Sequence, residues 1–297
     1  MKTGFIDILE CDIFLINKLI SSAKDIKKNP EKYRNALQNK TLGLFFEKPS
    51  TRTRLSFDVG MKTMGGNVVV LNKGDIHFGA TENLYDTAKT LSRYLDCAML
   101  RTFDHSTLLD FAKYAEIPVI NGLTNQSHPC QIMAALLTFE EHIGSISGAK
   151  IAWIGDSNNV LRSYMELATK IDFDLYIATP EGRSPDMKTV MQFSEMGAKI
   201  FITTDPKLAA SDADVIVTDT WVSMGDKDKD LAPFFPYQIN SDLISVADEA
   251  VIFSHCLPAH RGFEVSDEVI DAPYSTVFDE AENRMHVQKA ILLHLLS

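Results

Sequence analysis

The stretch LGLFFEKPSTRTRLSFDVGMKTM, residues 42–64, joins a strand pattern to a helix pattern and so decides the fold class. Residues 42–46 form a short apolar run of the length expected for a buried strand. Pro49 and the hydroxyl residues after it suit the start of a helix. Phe57, Met61 and Met64 then recur at spacings of four and three, as on one helix face. We therefore predict a strand, a turn and a helix in this order.

The same alternation of short apolar runs and helix-like segments continues along the chain. Strands that alternate with helices form parallel sheets with helices on both faces, joined by right-handed crossovers. We therefore predict an α/β protein with two doubly wound parallel-sheet domains joined by helices. The apolar runs are residues 42–46, 68–71, 98–100 and 117–120 in the first half, and 151–154, 175–178, 199–203, 215–217 and 251–253 in the second.

A turn-forming stretch and an apolar last helix indicate the domain limits. Residues 144–148, GSISG, are small and turn-forming, and they follow a helical stretch over residues 131–142. We expect one domain over residues 1–144, a second over 145–279, and a C-terminal helix over 280–297. Val287, Ile291, Leu292 and Leu295 make that last helix too apolar to stand alone. We therefore expect it to pack back on the first domain.

Composition and charge exclude several classes of partner. The 297 residues are 45% hydrophobic, and 29 Lys and Arg against 40 Asp and Glu give a net charge of −11. General binding to nucleic acid or to an anionic membrane needs a basic face, so neither is expected. No apolar run approaches the roughly 18–20 residues of a membrane span, and acidic residues interrupt the N-terminal stretch, so no secretory signal is expected. The four cysteines show no paired spacing, which favours reduced thiols in the cytoplasm.

Polar clusters follow most of the predicted strands. Ligands of open parallel sheets bind beyond the carboxyl ends of the strands, so we expect these clusters to meet in one cleft. The clusters are residues 47–54, 101–102, 127–131, 155–159, 219–225 and 255–258.

The cluster at residues 50–54, STRTR, suits an anion. Hydroxyls, guanidinium groups and the free N–H groups of a helix start are all good partners for phosphate or carboxylate oxygens. The plainer alternative is a capped helix with two solvated arginines, since the chain has no glycine-rich phosphate loop. Thr53, Arg101 and His128 are the donors that could polarise a carbonyl and stabilise the oxyanion of acyl transfer.

Cys256 and the segment IAWIGD at residues 151–156 leave alternatives open. Cys256 is either a small buried apolar residue or a polar, non-covalent participant. His255 is its neighbour, but adjacent residues of an extended strand point to opposite faces, so the two are not a ready catalytic pair. Residues 151–156 look like the first strand of a nucleotide-binding unit, yet the glycine fingerprint is absent, which disfavours nicotinamide or flavin binding. No metal-ligand spacing appears, so no metal is expected.

Several of these motifs together resemble the aspartate/ornithine carbamoyltransferase family. They are STRTR at 50–54, HPCQ at 128–131 and HCLP at 255–258, and the resemblance covers nearly the whole chain in order. The segment DTWVSMG at 219–225 is similar to the ornithine branch of that family, and DIHFG at 75–79 resembles a segment contributed to a neighbouring subunit.

The resemblance implies the residues that bind each substrate. His77 is implied to reach the phosphate across a subunit boundary, because the family is trimeric with sites between subunits. The residues implied for carbamoyl phosphate are Ser50, Thr51, Arg52, Thr53, His77, Arg101, His128, Gln131, Cys256, Leu257 and Arg284. Those implied for ornithine are Asn159, Asp219, Ser223 and Met224, and those implied for catalysis are Cys256, Arg101, His128 and Asp219.

The implied reaction is carbamoylation of the side-chain amine of L-ornithine, giving L-citrulline and phosphate for arginine biosynthesis without a cofactor. An alkylamine has a pKa near ~10 and must attack while neutral, which suits a proton partner such as Cys256 or Asp219. The alternatives are a carbamoyltransferase for aspartate or putrescine, a non-catalytic module that keeps an anion pocket, and a nicotinamide-dependent dehydrogenase.

Overall fold

The computed structural model describes residues 4–72, 74, 83–222 and 230–297. The chain divides into two compact units. One comprises Met1–Ala134 and Glu282–Ser297, and the other comprises Ala135–Ala281. These limits fall inside two helices, whereas the domain limits predicted from the sequence, at residues 144 and 279, stay a prediction.

The first unit is built on a four-stranded parallel sheet. Its strands are β1 (Thr41–Phe46), β2 (Asn67–Asn72), β3 (Cys97–Arg101) and β4 (Val119–Leu123), in the spatial order β2-β1-β3-β4. The first strand, β1, lies inside the sheet. β2 lies on one side of it, and β3 and then β4 lie on the other, which is a doubly wound order. The helices are α1 (Ile13–Lys28), α2 (Thr51–Thr63), α3 (Leu84–Leu91) and α4 (His105–Tyr114).

The stretch at residues 42–64 folds as its pattern predicts. Leu42, Leu44 and Phe45 of β1 are fully buried. The Ser50 side chain caps α2 by accepting a hydrogen bond from the Thr53 N–H at 3.3 Å. Phe57 and Met61 are fully buried and give this helix its apolar face.

The second unit is built on a five-stranded parallel sheet. Its strands are β5 (Lys150–Ile154), β6 (Asp174–Ala178), β7 (Lys199–Thr203), β8 (Val215–Thr218) and β9 (Ile252–His255), in the order β7-β6-β5-β8-β9. Its helices are α6 (Asn159–Ala168), α7 (Met187–Glu195), α8 (Pro206–Ala210), α9 (Ser241–Ile244) and α10 (Asp267–Ile270). The predicted fold class, two doubly wound parallel sheets, is confirmed.

Two further helices, α5 (Pro129–His142) and α11 (Val277–Leu296), contain the limits of the units. Val287, Ile291 and Leu292 of α11 are buried, and Glu282–Ser297 belongs to the first unit. The predicted return of the C-terminal helix to the first part of the chain is therefore confirmed. Of the helices in the described ranges, none has the length and apolar character needed to cross a membrane.

Candidate functional site

The start of α2 is the first element of the candidate site. Ser50 is its N-cap, Thr51 is exposed, Arg52 is half-buried and Thr53 is fully buried. The first N–H groups of a helix lack partners within the helix and carry a partial positive charge, so they attract anions. The predicted anion-binding motif therefore lies at a helix start, directly after β1.

Two buried guanidinium groups meet at the Thr53 hydroxyl. The oxygen accepts a hydrogen bond from Arg101 Nη1 at 3.3 Å and another from Arg284 Nη2 at 2.6 Å. Arg101 is 6% exposed and Arg284 is 3% exposed. Two positive charges buried side by side are unfavourable on their own, and a bound dianion would compensate both. This arrangement favours a phosphate-sized anion over a neutral ligand.

His128 lies in the electrostatic field of the same two arginines. It is 4% exposed and precedes α5, where its carbonyl accepts hydrogen bonds from Gln131 N and Ile132 N. Burial, followed by the positive charges of Arg284 and Arg101, lowers the pKa of His128 well below its usual value. The imidazole is therefore neutral near pH 7. It can donate one hydrogen bond to a carbonyl oxygen without adding a third positive charge.

Lys48 is a further cation at this end of β1 that the sequence analysis did not single out. It is 9% exposed, and its Nζ lies 4.2 Å from the centroid of the Phe103 ring. Burial, with the nearby Arg101 charge, lowers the pKa of Lys48. Its position between β1 and the STRTR motif is the sequence signal that could have identified it.

An open pocket of about 520 Å³ lies beside the start of α2. The pocket shares Ser50 and Thr51 with the anion site, so a ligand held at the helix start has open space beside it. Its lining residues are Phe46, Glu47, Pro49, Ser50, Thr51, Arg54, Leu55, Asn72 and Gly74.

A second group of polar side chains is centred on the Asp219 carboxylate, just after β8. Its Oδ1 accepts a hydrogen bond from Cys256 Sγ at 2.7 Å, and its Oδ2 accepts one from Asn158 Nδ2 at 2.7 Å. The Thr220 N–H also donates to Oδ1, at 2.8 Å. Three donors therefore converge on this carboxylate. The arrangement suits an amine or ammonium group better than an anion.

Asn158, the residue before the predicted Asn159, lies against Asp219. Asn158 is the N-cap of α6 and its side-chain oxygen accepts from the Val160 and Leu161 N–H groups. Its amide nitrogen therefore donates its hydrogen bond to Asp219. Asn159 is the first residue of α6 and is half-buried. In a repeated Asn-Asn pair, the sequence does not distinguish the capping residue from the next one.

His255 holds the loop that carries Cys256 and Leu257. The Leu257 N–H donates to His255 Nδ1 at 2.9 Å, so this nitrogen is an acceptor and the proton lies on Nε2. Nε2 in turn lies 3.3 Å from Glu264 Oε1, and both side chains are fully buried. One nitrogen of the imidazole is therefore bound by the backbone of Leu257, and the other contacts Glu264.

His255 lies near Cys256, although its ring nitrogens are engaged by Leu257 and Glu264. A nitrogen of His255, Cys256 Sγ and an oxygen of Asp219 all lie within 4.8 Å of one another. Strand β9 ends at His255, so Cys256 lies outside the regular pleat on which the expectation depends. Thiolate, imidazole and carboxylate are ligands that Zn²⁺ accepts. A metal ion there would have to displace the hydrogen bonds that Asp219 and His255 already make.

Some of the remaining predicted residues lie within the described ranges and others do not. Gln131 is buried in α5, close to His128 in sequence, and Leu257 is half-buried. His77, Ser223 and Met224 lie outside the described residues. The structure thus brings Thr53, Arg101, Arg284 and His128 together in the first unit, and Asp219 and Cys256 together in the second.

Family models match nearly the whole chain. The carbamoyl-P binding domain of aspartate/ornithine carbamoyltransferase matches residues 4–141, and the Asp/Orn binding domain matches residues 147–295. The first of these ranges contains the anion site at α2, and the second contains Asp219 and Cys256.

Named relatives and solved structures agree with these models. A protein named ornithine carbamoyltransferase from Brucella suis biovar 1 (strain 1330) is 56% identical over 85% of this chain and 82% of its own length. One of the same name from Rhodopseudomonas palustris (strain ATCC BAA-98 / CGA009) is 49% identical over 98% of this chain and 96% of its own. The ornithine carbamoyltransferase structure from Pyrococcus furiosus aligns with a TM-score of 0.93 at 44% identity, covering 97% of this chain and 95% of that one. The chain belongs to the aspartate/ornithine carbamoyltransferase family.

Proposed function

We propose that this chain transfers the carbamoyl group of carbamoyl phosphate to the side-chain amine of L-ornithine, giving L-citrulline and phosphate. The observation that carries the proposal is the meeting of two buried guanidinium groups at Thr53, beside a helix start and a neutral histidine. The relatives named ornithine carbamoyltransferase support the choice of acceptor.

The first unit binds the donor in this proposal. The phosphate is held by the start of α2, through Ser50, Thr51 and Arg52, and Arg101 bridges the phosphate and the carbonyl. His128 donates to the carbamoyl oxygen, where negative charge develops in the tetrahedral intermediate. The resemblance adds Gln131 and Arg284 at the carbamoyl group, Cys256 and Leu257 beside it, and His77 from a neighbouring subunit.

The second unit binds the acceptor. The Asp219 carboxylate attracts the cationic amino acid and orients its amine, with Cys256 beside it. Asn159, Ser223 and Met224 complete the ornithine site in this proposal. The neutral amine nitrogen forms a bond to the carbamoyl carbon, and the bond from that carbon to the phosphate oxygen breaks. The amine loses one proton and the departing phosphate gains one, so no covalent enzyme intermediate is needed.

The assembly, location and pathway belong to the same proposal. We infer a homotrimer with sites at subunit boundaries, since the resemblance draws His77 from a neighbour. We infer a cytoplasmic enzyme, in keeping with its four free thiols, and a role in arginine biosynthesis. The carbamoyl phosphate domain is residues 1–144, the ornithine domain is 145–279, and the returning helix is 280–297.

An amine panel tests the reaction. The protein is incubated with carbamoyl phosphate and, separately, L-ornithine, L-aspartate and putrescine, and the ureido product and phosphate are measured. We expect equal amounts of citrulline and phosphate from ornithine, and far less product from the other amines. A preference for aspartate or putrescine would contradict the acceptor, and phosphate release without a ureido product would contradict carbamoyl transfer.

A variant pair tests the phosphate site. Arg52→Gly removes a cation from the start of α2, and we expect it to abolish turnover and weaken carbamoyl phosphate binding while the fold is kept. Arg34→Gly, at an exposed arginine paired with Glu31, is the control and should retain wild-type turnover. Unchanged kinetics of Arg52→Gly would contradict the proposed phosphate site.

A further inference from the structure

A buried polar network connects the N-terminal segment to the loop that precedes His128. Its members lie far apart in the sequence but within the first unit, and each is at most 9% exposed. We call it the Asp7 network. Its members are Asp7, His105, Asn121, Thr124 and Ser127.

The hydrogen bonds of the Asp7 network form one continuous chain. The Ser127 hydroxyl donates to Asp7 Oδ1, and the other oxygen of Asp7, Oδ2, lies 3.1 Å from His105 Nε2. The opposite ring nitrogen, His105 Nδ1, lies 3.0 Å from Thr124 Oγ1. Asn121 Nδ2 donates to Ser127 Oγ at 3.0 Å. The Asp7 carboxylate is therefore held at both oxygens.

Donor counting fixes the protons in this chain. Thr124 Oγ1 accepts from the Gln126 N–H and from the Ser127 N–H, each at 3.2 Å. A hydroxyl has two acceptor positions and one proton, so with these two N–H groups bound the Thr124 proton can be donated to His105 Nδ1. His105 then carries its own proton on Nε2 and donates it to Asp7. In this arrangement each donor of the network faces an acceptor.

The network fixes the backbone on the N-terminal side of His128. The Thr124 N–H donates to the Ser127 carbonyl at 3.0 Å, which closes a tight loop whose last residue directly precedes His128. On the other side, the His128 carbonyl is held by the first N–H groups of α5. Any shift of residues 124–127 therefore moves the His128 ring relative to Arg101 and Arg284.

We propose that Asp7 and His105 are positioning residues for carbamoyl transfer, which act by setting the place and orientation of His128. This inference rests on the proposed function, in which His128 donates to the carbamoyl oxygen. Neither residue touches the substrate in this account. Asp7 lies just before a short 3₁₀ helix, Ile8–Glu10, and Glu10 is a further acidic group near the pair, whose burial raises its pKa.

The substitution Asp7→Asn tests the network without changing its shape. In either orientation of the new amide, its NH₂ group faces a group that donates in the wild type, so either the Ser127 hydroxyl must turn its proton away or His105 must change tautomer. We expect kcat to fall about tenfold, which corresponds to about 1.4 kcal/mol of lost transition-state stabilisation. The KM for carbamoyl phosphate should change less than about threefold, because the start of α2 holds the phosphate. Asp12→Asn is the control, since Asp12 caps α1 at an exposed position and asparagine caps equally well.

A second pair of variants tests the ring itself. His105→Gln offers a carbonyl to Thr124 and an NH₂ group to Asp7, so it should keep kcat within about threefold of the wild type. His105→Ala removes both bonds and should lower kcat about as much as Asp7→Asn. A kcat that is higher in His105→Gln than in His105→Ala shows that the His105 side chain acts through its hydrogen bonds and not only by filling space. If Asp7→Asn does not fold, this pair decides the question.

The outcomes that overturn the inference differ from those that overturn the function. Normal kcat in folded Asp7→Asn and His105→Ala would overturn it, as would equal losses in His105→Gln and His105→Ala. A raised KM with unchanged kcat would also overturn it, because the network would then act on the phosphate. A wild-type protein that forms no citrulline would instead refute the proposed function.

Discussion

Replacing Arg284 by methionine separates its role in ligand binding from any role in stability. Methionine fills a similar linear space and leaves Thr53 to accept from Arg101 alone. A hydrogen bond to a charged group contributes about 1.5–3 kcal/mol. Its loss from the carbamoyl group of the bound donor should weaken carbamoyl phosphate binding about 10- to 150-fold. Urea unfolding of the ligand-free variant measures the effect of the substitution on stability separately.

Calorimetric titration at 25 °C measures the affinity, and urea unfolding measures the stabilisation by ligand. At a carbamoyl phosphate concentration 100 times the wild-type Kd, binding adds about 2.7 kcal/mol to the free energy of unfolding. A variant that binds 100-fold more weakly gains only about 0.4 kcal/mol at that concentration. Arg34→Met, at an exposed arginine, is the control and should match the wild type. Wild-type affinity in Arg284→Met, or an equal loss in the control, would refute the reasoning.

Three further predictions concern the groups around the two substrates. Because burial and two arginines lower the pKa of His128, the unfolded chain binds a proton there that the native protein does not. The free energy of unfolding should fall below about pH 6.5, by up to about 1.4 kcal/mol per pH unit from this group, and His128→Asn should lessen that slope in urea titrations. Asp219→Asn should lower kcat/KM for ornithine about 10- to 150-fold and leave the calorimetric Kd of carbamoyl phosphate unchanged; an equal loss for both substrates would contradict its assignment. Iodoacetamide at pH 8 should label Cys256, which is half-buried, and should not label the three buried thiols. One of these is Cys130, whose pKa is raised by burial to about 12. Peptide mass spectrometry that finds a buried thiol labelled first would contradict this prediction.

The fold could be predicted because its signals are local. The apolar run at residues 42–46, the cap at Ser50 and the spacing of Phe57 and Met61 each act within a few residues, and the structure reproduces them. The parallel pairing of the strands then follows from the helices that connect them. Local patterns of this kind determine elements and their succession.

The details of the site could not be predicted because they depend on distant residues. Arg284 reaches Thr53 from 231 positions away, and no periodicity indicates that two guanidinium groups share one hydroxyl. Asn158 lies against Asp219 because it is the N-cap of α6, and the Asn-Asn pair by itself does not indicate which residue caps the helix.

The N-terminal segment illustrates the same limit. In the sequence, Asp7 is one of several acidic residues near the N-terminus and belongs to no motif. In the structure, it is the buried centre of a network that ends next to His128. The pairing of Phe5 with β4 brings Asp7 next to Ser127 and His105. It is a long-range contact that no local sequence pattern predicts.

Binding of one molecule that carries both substrate halves is the most direct test of the central claim. A stable analogue that links a phosphonate through an amide to the δ-nitrogen of L-ornithine is titrated into the wild type, Arg284→Met and Asp219→Asn. We predict tight binding of one analogue per chain to the wild type and at least about tenfold weaker binding to each variant. Wild-type affinity in either variant would show that the two sets of residues do not serve one reaction, and would contradict the account.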